Sequence, residues 1–328
     1  MRHLNQNTVP RSLERFLKDP EAYTFMRNVS PFSLFDMGKI WLKFQSLALS
    51  LPNVIRLSEL GPQFKNVLIV GDTHGDLDST LRLTRPFLQG KVDALVFMGD
   101  YVDRGKFSFL NLMYILGLCL AWPDRVIILR GNHEDMALNL IFGFNEELQQ
   151  YFENPDVFKA IQAIIVALYD LMSLAAVSPL ESLCIHAGIP KVAYPLGTLN
   201  LLPKPHSNFN ALSDIQLKGE LKEIFTQIRW NDPTEKELEH PNARSYHGFY
   251  FYTEPELDAF LKMNNLQRIY RSHEHPRGVF QEIFPNRLYY VFSSTSKYGT
   301  ITTGHVIHEK GEHIYLRDID FNLKKKIK

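Results

Sequence analysis

The sequence contains very little cysteine. Two cysteines stand among 328 residues, Cys119 in an apolar run of helical pattern and Cys184 in an apolar run of strand pattern. Both have the pattern of small core residues, so the sequence gives no support for a disulfide framework. Both also lie outside the polar motifs described below, which argues against a cysteine nucleophile.

The chain also lacks an excess of charge of either sign. Its formal net charge is +0, and this balance argues against a general surface for nucleic acids. The lysine-rich stretch at 324–328 has the character of a solvated end. We therefore expect no nucleic-acid partner.

The N-terminus lacks the apolar core and the small-residue cleavage site of a secretory signal. The most apolar early stretch, Phe32 to Leu51, is interrupted by Asp36, Lys39 and Lys43, and its apolar residues recur at helical spacing. We expect an amphipathic helix docked on the core, and no membrane partner. A cytoplasmic protein is the default interpretation, and a secreted effector with a non-standard signal stays open as the alternative.

Repeats and low-complexity blocks are absent as well. Hydrophobic residues make up 45% of the sequence and charged residues 22%, a composition that allows a sizeable core. Residues 1–60 have the pattern of helices and loops, ending at Leu60-Gly61-Pro62. We therefore predict an N-terminal helical segment, residues 1–60, packed on a main domain of residues 61–328.

Strand and helix patterns alternate from residue 67 onward. Short apolar runs of strand type lie at 67–70, 94–98, 126–129 and 183–185, with helical patterns between them at about 77–88, about 109–121 and up to about 172. This alternation predicts βαβ units with parallel central strands. In such sheets, ligands gather beyond the carboxyl ends of the strands.

The C-terminal part has a different pattern. Residues 278–319 contain consecutive strand-like runs, for example Leu288 to Phe292 and His313 to Leu316. They predict antiparallel strands that join or face the parallel ones within one integrated domain. The fold class we expect is therefore α/β, with a central mixed β-sandwich flanked by helices.

Polar residues of metal-ligand or catalytic type follow the predicted strands. One such turn is common, but three in order, followed by two strand-end histidines, are hard to produce from turn chemistry alone. Mixed Asp, His and Asn ligands suit Mn, Fe or Zn rather than a thiolate site. The segments are Gly71-Asp72-Thr73-His74-Gly75, Gly99-Asp100-Tyr101-Val102-Asp103-Arg104-Gly105 and Gly131-Asn132-His133-Glu134, with His186 and His273 later in the chain.

The three segments resemble the signature of the phosphoprotein phosphatase family of serine/threonine phosphatases: Gly-Asp-x-His-Gly, Gly-Asp-x-Val-Asp-Arg-Gly and Gly-Asn-His-Glu. His186-Ala187-Gly188 is similar to the family's His-Gly-Gly segment with one replacement, and Arg271-Ser272-His273 to its Arg-Ala-His segment. The similarity covers roughly residues 67–319. It implies the calcineurin-like metallophosphoesterase fold and metal-dependent hydrolysis of phosphoserine and phosphothreonine in proteins.

The resemblance also implies two divalent or trivalent metal ions, with manganese as the first candidate and iron or zinc as the others. Such a pair, roughly 3.5–4 Å apart, acidifies a shared water and binds phosphoryl oxygens in line. Asp100 would bridge the two ions. By position, the first ion would be held by Asp72, His74 and Asp100, and the second by Asp100, Asn132, His186 and His273.

The groups that act on the substrate follow from the same resemblance. His133 would protonate the leaving alkoxide, and Asp103 would orient the imidazole and favour its charged form. Arg104 would bind the phosphate with its forked guanidinium. The expected partners are phosphorylated proteins, and regulatory subunits cannot be named from the sequence.

Two further substrate-binding candidates come from looser similarities. Trp230-Asn231-Asp232-Pro233 is similar to the family's Trp-Ser-Asp-Pro segment, which makes Arg244 the candidate for a second phosphate-binding arginine, although the residues after it depart from the family's glycine-rich continuation. Tyr298 is the candidate for a late tyrosine near the metals, one position out of register with its glycine. The stretch Pro190 to Ala211 is predicted as a loop near the site that either shapes substrate choice or is a surface insertion.

Other functions stay open on the same residues. The segment His186-Ala187-Gly188-Ile189-Pro190 resembles the corresponding segment of dinucleoside polyphosphate hydrolases, whereas Glu134 favours the protein phosphatases. A base-binding hydrolase needs an aromatic platform, and Tyr246, Phe249 and Tyr250 have instead the alternation of a strand packed in the core.

A tyrosine phosphatase is a further alternative, because metals do not distinguish the alcohol that leaves. A metal-binding scaffold without activity is disfavoured, because such a scaffold need not keep the acid His133, its partner Asp103 and the phosphate fork Arg104 together.

Overall fold

Fourteen strands and nine α-helices occur in the parts of the chain that the computed structural model describes, residues 9–26, 29–60, 64–235, 249–275, 281–295 and 304–328. The helices are α1 (Arg11–Lys18), α2 (Leu34–Ser50), α3 (Leu77–Leu88), α4 (Ser108–Ala121), α5 (Met136–Phe142), α6 (Phe144–Tyr151), α7 (Pro155–Tyr169), α8 (Ile215–Trp230) and α9 (Glu254–Met263). The strands are β1 (Val54–Arg56), β2 (Asn66–Val70), β3 (Ala94–Phe97), β4 (Val126–Ile128), β5 (Ala175–Val177), β6 (Ser182–Ile185), β7 (Asp232–Pro233), β8 (Phe251–Tyr252), β9 (Arg268–Arg271), β10 (Glu282–Ile283), β11 (Leu288–Tyr290), β12 (His305–Lys310), β13 (His313–Asp318) and β14 (Leu323–Lys326).

Two six-stranded mixed sheets form the centre of the fold. The first has the order β14-β13-β12-β2-β3-β4, in which β2, β3 and β4 are parallel and β12 to β14 run antiparallel. The second has the order β1-β5-β6-β9-β11-β10, and β7 pairs with β8 separately. The predicted parallel central strands are confirmed. The expectation that the C-terminal strands are antiparallel is wrong for β11, which pairs parallel with β9.

The two sheets pack face to face, and the strand residues show why. In β2, Val67 and Ile69 belong to the core between the sheets, whereas Leu68 and Val70 belong to the core under the helices. Successive side chains of a strand point to opposite faces, so a continuous apolar run is what a strand covered on both faces requires. The predicted mixed β-sandwich flanked by helices is confirmed.

Local signals set the helix boundaries that position the site. Helix α3 occupies the predicted range 77–88 and begins where the Asp76 carboxylate accepts the backbone N–H of Ser79 at 3.1 Å. The long helical region expected to reach residue 172 is divided into α5, α6 and α7. It is interrupted at Gly143, whose φ is +101°, and at Asn154, which caps α7 before Pro155.

The amphipathic helix predicted between Phe32 and Leu51 is confirmed as α2. Ser33 and Asp36 form a reciprocal capping box at its start. The helix buries Met37, Ile40, Phe44 and Ala48, which recur at helical spacing, and it packs against α7. None of the helices within the described ranges is long and apolar enough to cross a membrane.

The loop predicted from Pro190 to Ala211 contains two short 3₁₀ helices, Leu196–Leu201 and Phe209–Ala211. Lys204 Nζ donates to the carbonyl oxygens of Ala48 and Leu51 at 3.2 and 3.1 Å, at the carboxyl end of α2. His206 Nε2 lies 2.9 Å from Asn53 Oδ1. The loop is therefore held to the N-terminal segment by hydrogen bonds.

The division into a helical segment of residues 1–60 and a domain of residues 61–328 stays a prediction. Strand β1 lies within the first 60 residues and pairs with β5. Phe16 of α1 is fully buried beside Phe32, at 5.3 Å between ring centroids, and Phe32 in turn meets Phe109 of α4 at 6.1 Å. These contacts support a segment that folds together with the domain.

A substitution at Phe16 tests this arrangement. We expect Phe16→Ala to lower the free energy of unfolding by about 3–5 kcal/mol, because it removes a buried ring and leaves a cavity. Urea unfolding measures the change, and Arg15→Ala, on the exposed face of the same helix, should change it by no more than about 0.5 kcal/mol. An unmoved main transition in Phe16→Ala would show that the segment is a separate appendage.

Candidate metal centre

The carboxyl ends of five strands bring the predicted ligands to one edge of the sandwich. The first sheet contributes residues after the adjacent parallel strands β2, β3 and β4, and the second contributes residues after β6 and β9, which are also adjacent and parallel. The predicted ligands are Asp72 and His74 after β2, Asp100 after β3, Asn132 after β4, His186 after β6 and His273 after β9.

The turns that hold these residues are tight and strained. Gly99 has a φ of +104°, and a Cβ at Gly131 would lie 2.3 Å from Asp100 Oδ1, so glycine is required at both positions. Several non-glycine residues also have a left-handed backbone, which costs energy and is concentrated at functional sites. These are His74, Asp100, Asp103, Arg104 and His273, with φ between 41° and 70°.

One group of ligand atoms surrounds His74. Its Nε2 lies 3.5 Å from Asp100 Oδ2 and 3.8 Å from Asp72 Oδ2. Its Nδ1 lies 2.9 Å from the carbonyl oxygen of Val102, which accepts the N–H of that nitrogen. This leaves the Nε2 lone pair directed at the two carboxylates, the tautomer that a metal-binding histidine needs.

A second group of ligand atoms surrounds His186. Its Nδ1 lies 2.9 Å from the carbonyl oxygen of Met98, so its Nε2 carries a lone pair, 3.4 Å from Asp100 Oδ1. Asn132 Oδ1 lies 2.7 Å from the same Nε2 and 3.0 Å from His273 Nδ1. The metal-ligating atoms of Asp100, His186 and His273 all lie within 4.8 Å of one another.

The chemistry of these residues fits metal ions. Asp72 Oδ2 is fully buried and has no hydrogen-bond partner in the described part of the chain, while Asp72 Oδ1 accepts the hydroxyl of Ser272. Burial, and then the charge of Asp100, raise the pKa of Asp72, and burial lowers the pKa of His186 to about 4. Bound cations would offset these buried carboxylates, so the residues present fit a metal site.

The predicted acid lies beside the first ligand group. His133 Nδ1 lies 2.7 Å from Asp103 Oδ2, and its Nε2 lies 3.1 Å from Arg104 Nη2. The ring meets the His74 ring edge to face at 4.8 Å, and Phe142 lies at 5.0 Å. The structure thus brings His133, Asp103 and Arg104 together with the ligand set.

Two residues that sequence reasoning missed hold this acid pair in place. Asn139 Nδ2 donates to Asp103 Oδ2 at 2.9 Å and to the carbonyl oxygen of His133 at 2.8 Å. The buried hydroxyl of Tyr169 donates to Asn139 Oδ1 at 3.1 Å. A polar residue on the buried side of α5 was the only sequence signal, and it did not indicate a partner.

Glu134 connects two of the ligand turns. Its buried carboxylate accepts the backbone N–H groups of Asp100, Tyr101 and Gly131 at 2.8, 2.9 and 2.8 Å. Three backbone donors hold the loop after β3 against the loop after β4. Glu134 thereby fixes the position of Asp100 relative to the acid.

Arg271 connects two further segments, on the other sheet. This fully buried guanidinium pairs with Asp232 and Glu274 at 2.7 Å each and donates to the carbonyl oxygen of Ala187 at 2.6 Å. It therefore ties the segment that carries His186 to the one that carries His273.

An aromatic pair lies next to this ligand group. Trp230 stacks on Phe249 with ring centroids 4.6 Å apart and an interplanar angle of 9°, and its edge meets His273 at 5.7 Å. The expectation that Phe249 belongs to a strand packed in the core is wrong, because strand β8 begins at Phe251 and Phe249 is only partly buried. The remaining predicted residues, Arg244 and Tyr298, lie outside the described residues, as does Tyr246.

Comparison with protein families identifies the class. A family profile described as calcineurin-like phosphoesterase matches residues 65–277, which contain all six predicted ligands and the predicted acid, His133. The chain belongs to the calcineurin-like phosphoesterase family.

Curated relatives include catalytic subunits of protein phosphatases. The chain is 28% identical over 228 residues to a catalytic subunit of protein phosphatase 2A from Dictyostelium discoideum, covering 70% of this chain and 68% of that protein. It is 27% identical over 228 residues to the serine/threonine-protein phosphatase 4 catalytic subunit of Saccharomyces cerevisiae, with the same coverage.

Solved structures show the same fold. A protein serine/threonine phosphatase from Saccharomyces cerevisiae superimposes with a TM-score of 0.73 at 23% identity, covering 90% of this chain and 91% of that one. A cold-active protein tyrosine phosphatase superimposes with a TM-score of 0.57 at 20% identity, covering 84% and 80%. Both likenesses concern the fold.

Proposed function

We propose that the chain is a metal-dependent phosphoprotein phosphatase that hydrolyses phosphoserine and phosphothreonine esters. One observation carries this proposal: the His133–Asp103 pair, at 2.7 Å, lies against the ligand residue His74, with Arg104 on its other nitrogen. An acid, its orienting carboxylate and a phosphate fork beside a metal site are what hydrolysis of a phosphate monoester requires.

The ligand set we propose has two parts that share Asp100. Two ions held there would acidify a water and bind the phosphoryl oxygens. Manganese is our first candidate, because carboxylate, imidazole and amide ligands suit Mn as well as Fe or Zn. In the proposed set, Asp72, His74 and Asp100 hold one ion, and Asp100, Asn132, His186 and His273 hold the other.

The acid acts through one defined nitrogen. Asp103 accepts the Nδ1 proton of His133 in a hydrogen bond, so the proton given to the leaving oxygen is carried on Nε2. Arg104 Nη2 lies at that nitrogen in the structure, and we propose that the guanidinium turns to the phosphate when substrate binds.

His133 also lies close enough to His74 and Asp100 to be considered a ligand, since their metal-ligating atoms are within 4.8 Å of one another. Its two nitrogens already have partners, Asp103 and Arg104. This supports the acid role over the ligand role.

Phosphorylated proteins are the substrates we propose, because the curated relatives are protein phosphatase catalytic subunits. Arg244 and Tyr298 remain proposals for further phosphate contacts. The two cysteines of the chain are buried and unpaired, which agrees with a proposed cytoplasmic location. A dinucleoside polyphosphate hydrolase is the second candidate, because the Trp230–Phe249 stack beside His273 offers a face on which a base could stack.

A substrate panel on the manganese-loaded protein tests the proposal. We expect phosphoserine and phosphothreonine peptides to have a higher kcat/KM than diadenosine tetraphosphate, with phosphotyrosine peptides cleaved but secondary. Higher efficiency on the dinucleotide would overturn the protein-phosphatase proposal and favour the base-stacking alternative. A clear lead of phosphotyrosine would leave the metal site in place and overturn the substrate class.

A further inference from the structure

A groove of about 400 Å³ lies between the N-terminal segment and the loop that follows Arg104. One wall is supplied by Tyr23 and Thr24, which precede the family match at residues 65–277. The other wall is supplied by Lys106 and Phe107 and by the last turn of α6. The groove therefore joins the phosphoesterase domain to a segment that the family profile does not contain.

The groove lining presents uncommitted hydrogen-bond donors. Within the described ranges, the Tyr23 and Tyr151 hydroxyls, the Gln150 amide and the exposed Lys106 ammonium have no hydrogen-bond partner or ion pair. The Glu147 carboxylate in the lining is committed, because its two oxygens accept the backbone N–H groups that begin α4, at 2.8 and 2.9 Å. A ligand rich in acceptors, such as a carboxylate, fits this lining.

The distance between Asp103 and the groove can be estimated along helix α6. At the start of α6, the backbone N–H of Phe144 donates to Asp103 Oδ1 at 3.3 Å. Gln150 is six residues further along the helix, which is about 9 Å at 1.5 Å per residue. An extended peptide covers about 9–10 Å in three residues.

Two cations line the path between the two sites. Arg104 and Lys106 are both exposed and are separated by one residue. A substrate peptide with its phosphate at Arg104 would pass Lys106 on the way to the groove, in a field that favours negative charge.

We propose that this groove binds the part of a phosphoprotein substrate next to the phosphorylated residue, and selects an acidic side chain about three residues away from it. Lys106 pairs with the carboxylate, and the Tyr23 and Tyr151 hydroxyls donate hydrogen bonds to the same carboxylate. This inference rests on the proposed phosphatase function and names a determinant of its specificity.

Matched phosphoserine peptides test the inference. Each pair differs only by Glu or Gln at the third residue before or after the phosphoserine, and nitrophenyl phosphate serves as the substrate that has no peptide. We expect the Glu peptide of one pair to have a kcat/KM about five- to tenfold higher in the unaltered protein, mainly through a lower KM. A charge pair together with one or two hydrogen bonds has this magnitude.

The variants assign the effect to the groove. Lys106→Gln should reduce the Glu-to-Gln ratio to about twofold or less, and Tyr23→Phe should lower it partly. Lys91→Gln, an exposed lysine in the turn before β3, is the matched control and should keep the full ratio. Equal efficiencies for Glu and Gln peptides in the unaltered protein, or a full ratio in Lys106→Gln, would overturn the groove while phosphopeptides are still cleaved. Cleavage of nitrophenyl phosphate without cleavage of any phosphopeptide would overturn the proposed function, and the groove with it.

Discussion

Asp100→Asn is expected to lower the hydrolysis of a small aryl phosphate by at least about 10²–10³-fold and to reduce the bound metal. Asp100 is the residue common to both ligand groups, with Oδ2 3.5 Å from His74 Nε2 and Oδ1 3.4 Å from His186 Nε2. Removing its charge would leave the two proposed cations without the bridge that would separate and offset them. Loss of one group that stabilises developing charge has a kinetic effect of this size.

The substitution is conservative in shape, which makes the result interpretable. Asparagine keeps an oxygen that can accept the backbone N–H of His133, as Asp100 Oδ1 does at 2.9 Å. Asp78→Asn, on the exposed face of α3, is the matched control and should leave rate and metal content unchanged. Normal activity with a full complement of metal in Asp100→Asn would reject the bridging role.

His133→Asn should lower the rate on alkyl phosphates by about 10²–10⁴-fold, the usual contribution of a general acid. The variant should retain its metal, because His133 is paired with Asp103 and is not one of the six proposed ligands. The loss should shrink for nitrophenyl phosphate, whose leaving group needs no proton.

Two comparisons make this prediction specific. The ratio of the loss on alkyl phosphate to the loss on nitrophenyl phosphate isolates proton donation from all other effects. His313→Asn, at an exposed position at the start of β13, controls for the loss of an imidazole. An equal loss on both esters would remove His133 from the acid role, and a loss of metal would make it a ligand.

The central strands, and the polar residues at their ends, could be predicted from the sequence. The apolar runs that became β2, β3 and β4 are covered on both faces, and a continuous run is the pattern that such strands need. The gathering of these polar residues could be predicted because a parallel sheet brings the carboxyl ends of its strands to one edge. Their assignment as metal ligands came from the family resemblance and stays a prediction. The start of α3 could be predicted because its signal is local: the Asp76 side chain caps the first turn.

Features that depend on contacts between residues distant in the sequence could not be predicted in this way. Strand β1 has three residues, and it exists because it pairs with β5, more than a hundred residues away. Asn139 and Tyr169 support Asp103 across α5 and α7, and no local pattern signals hydrogen bonds between residues 36 and 30 positions apart. Phe249 was assigned to a strand by its alternation, whereas its stacking on Trp230 depends on tertiary packing.

The two-metal centre is tested most directly by anomalous scattering from crystals loaded with manganese, for the unaltered protein and for Asp100→Asn. For the unaltered protein we expect two peaks about 3.5–4 Å apart, both bonded to Asp100, one also bonded to Asp72 and His74 and the other to Asn132, His186 and His273. In Asp100→Asn at least one peak should be lost. A single peak in the unaltered protein, or peaks away from these six residues, would contradict the account.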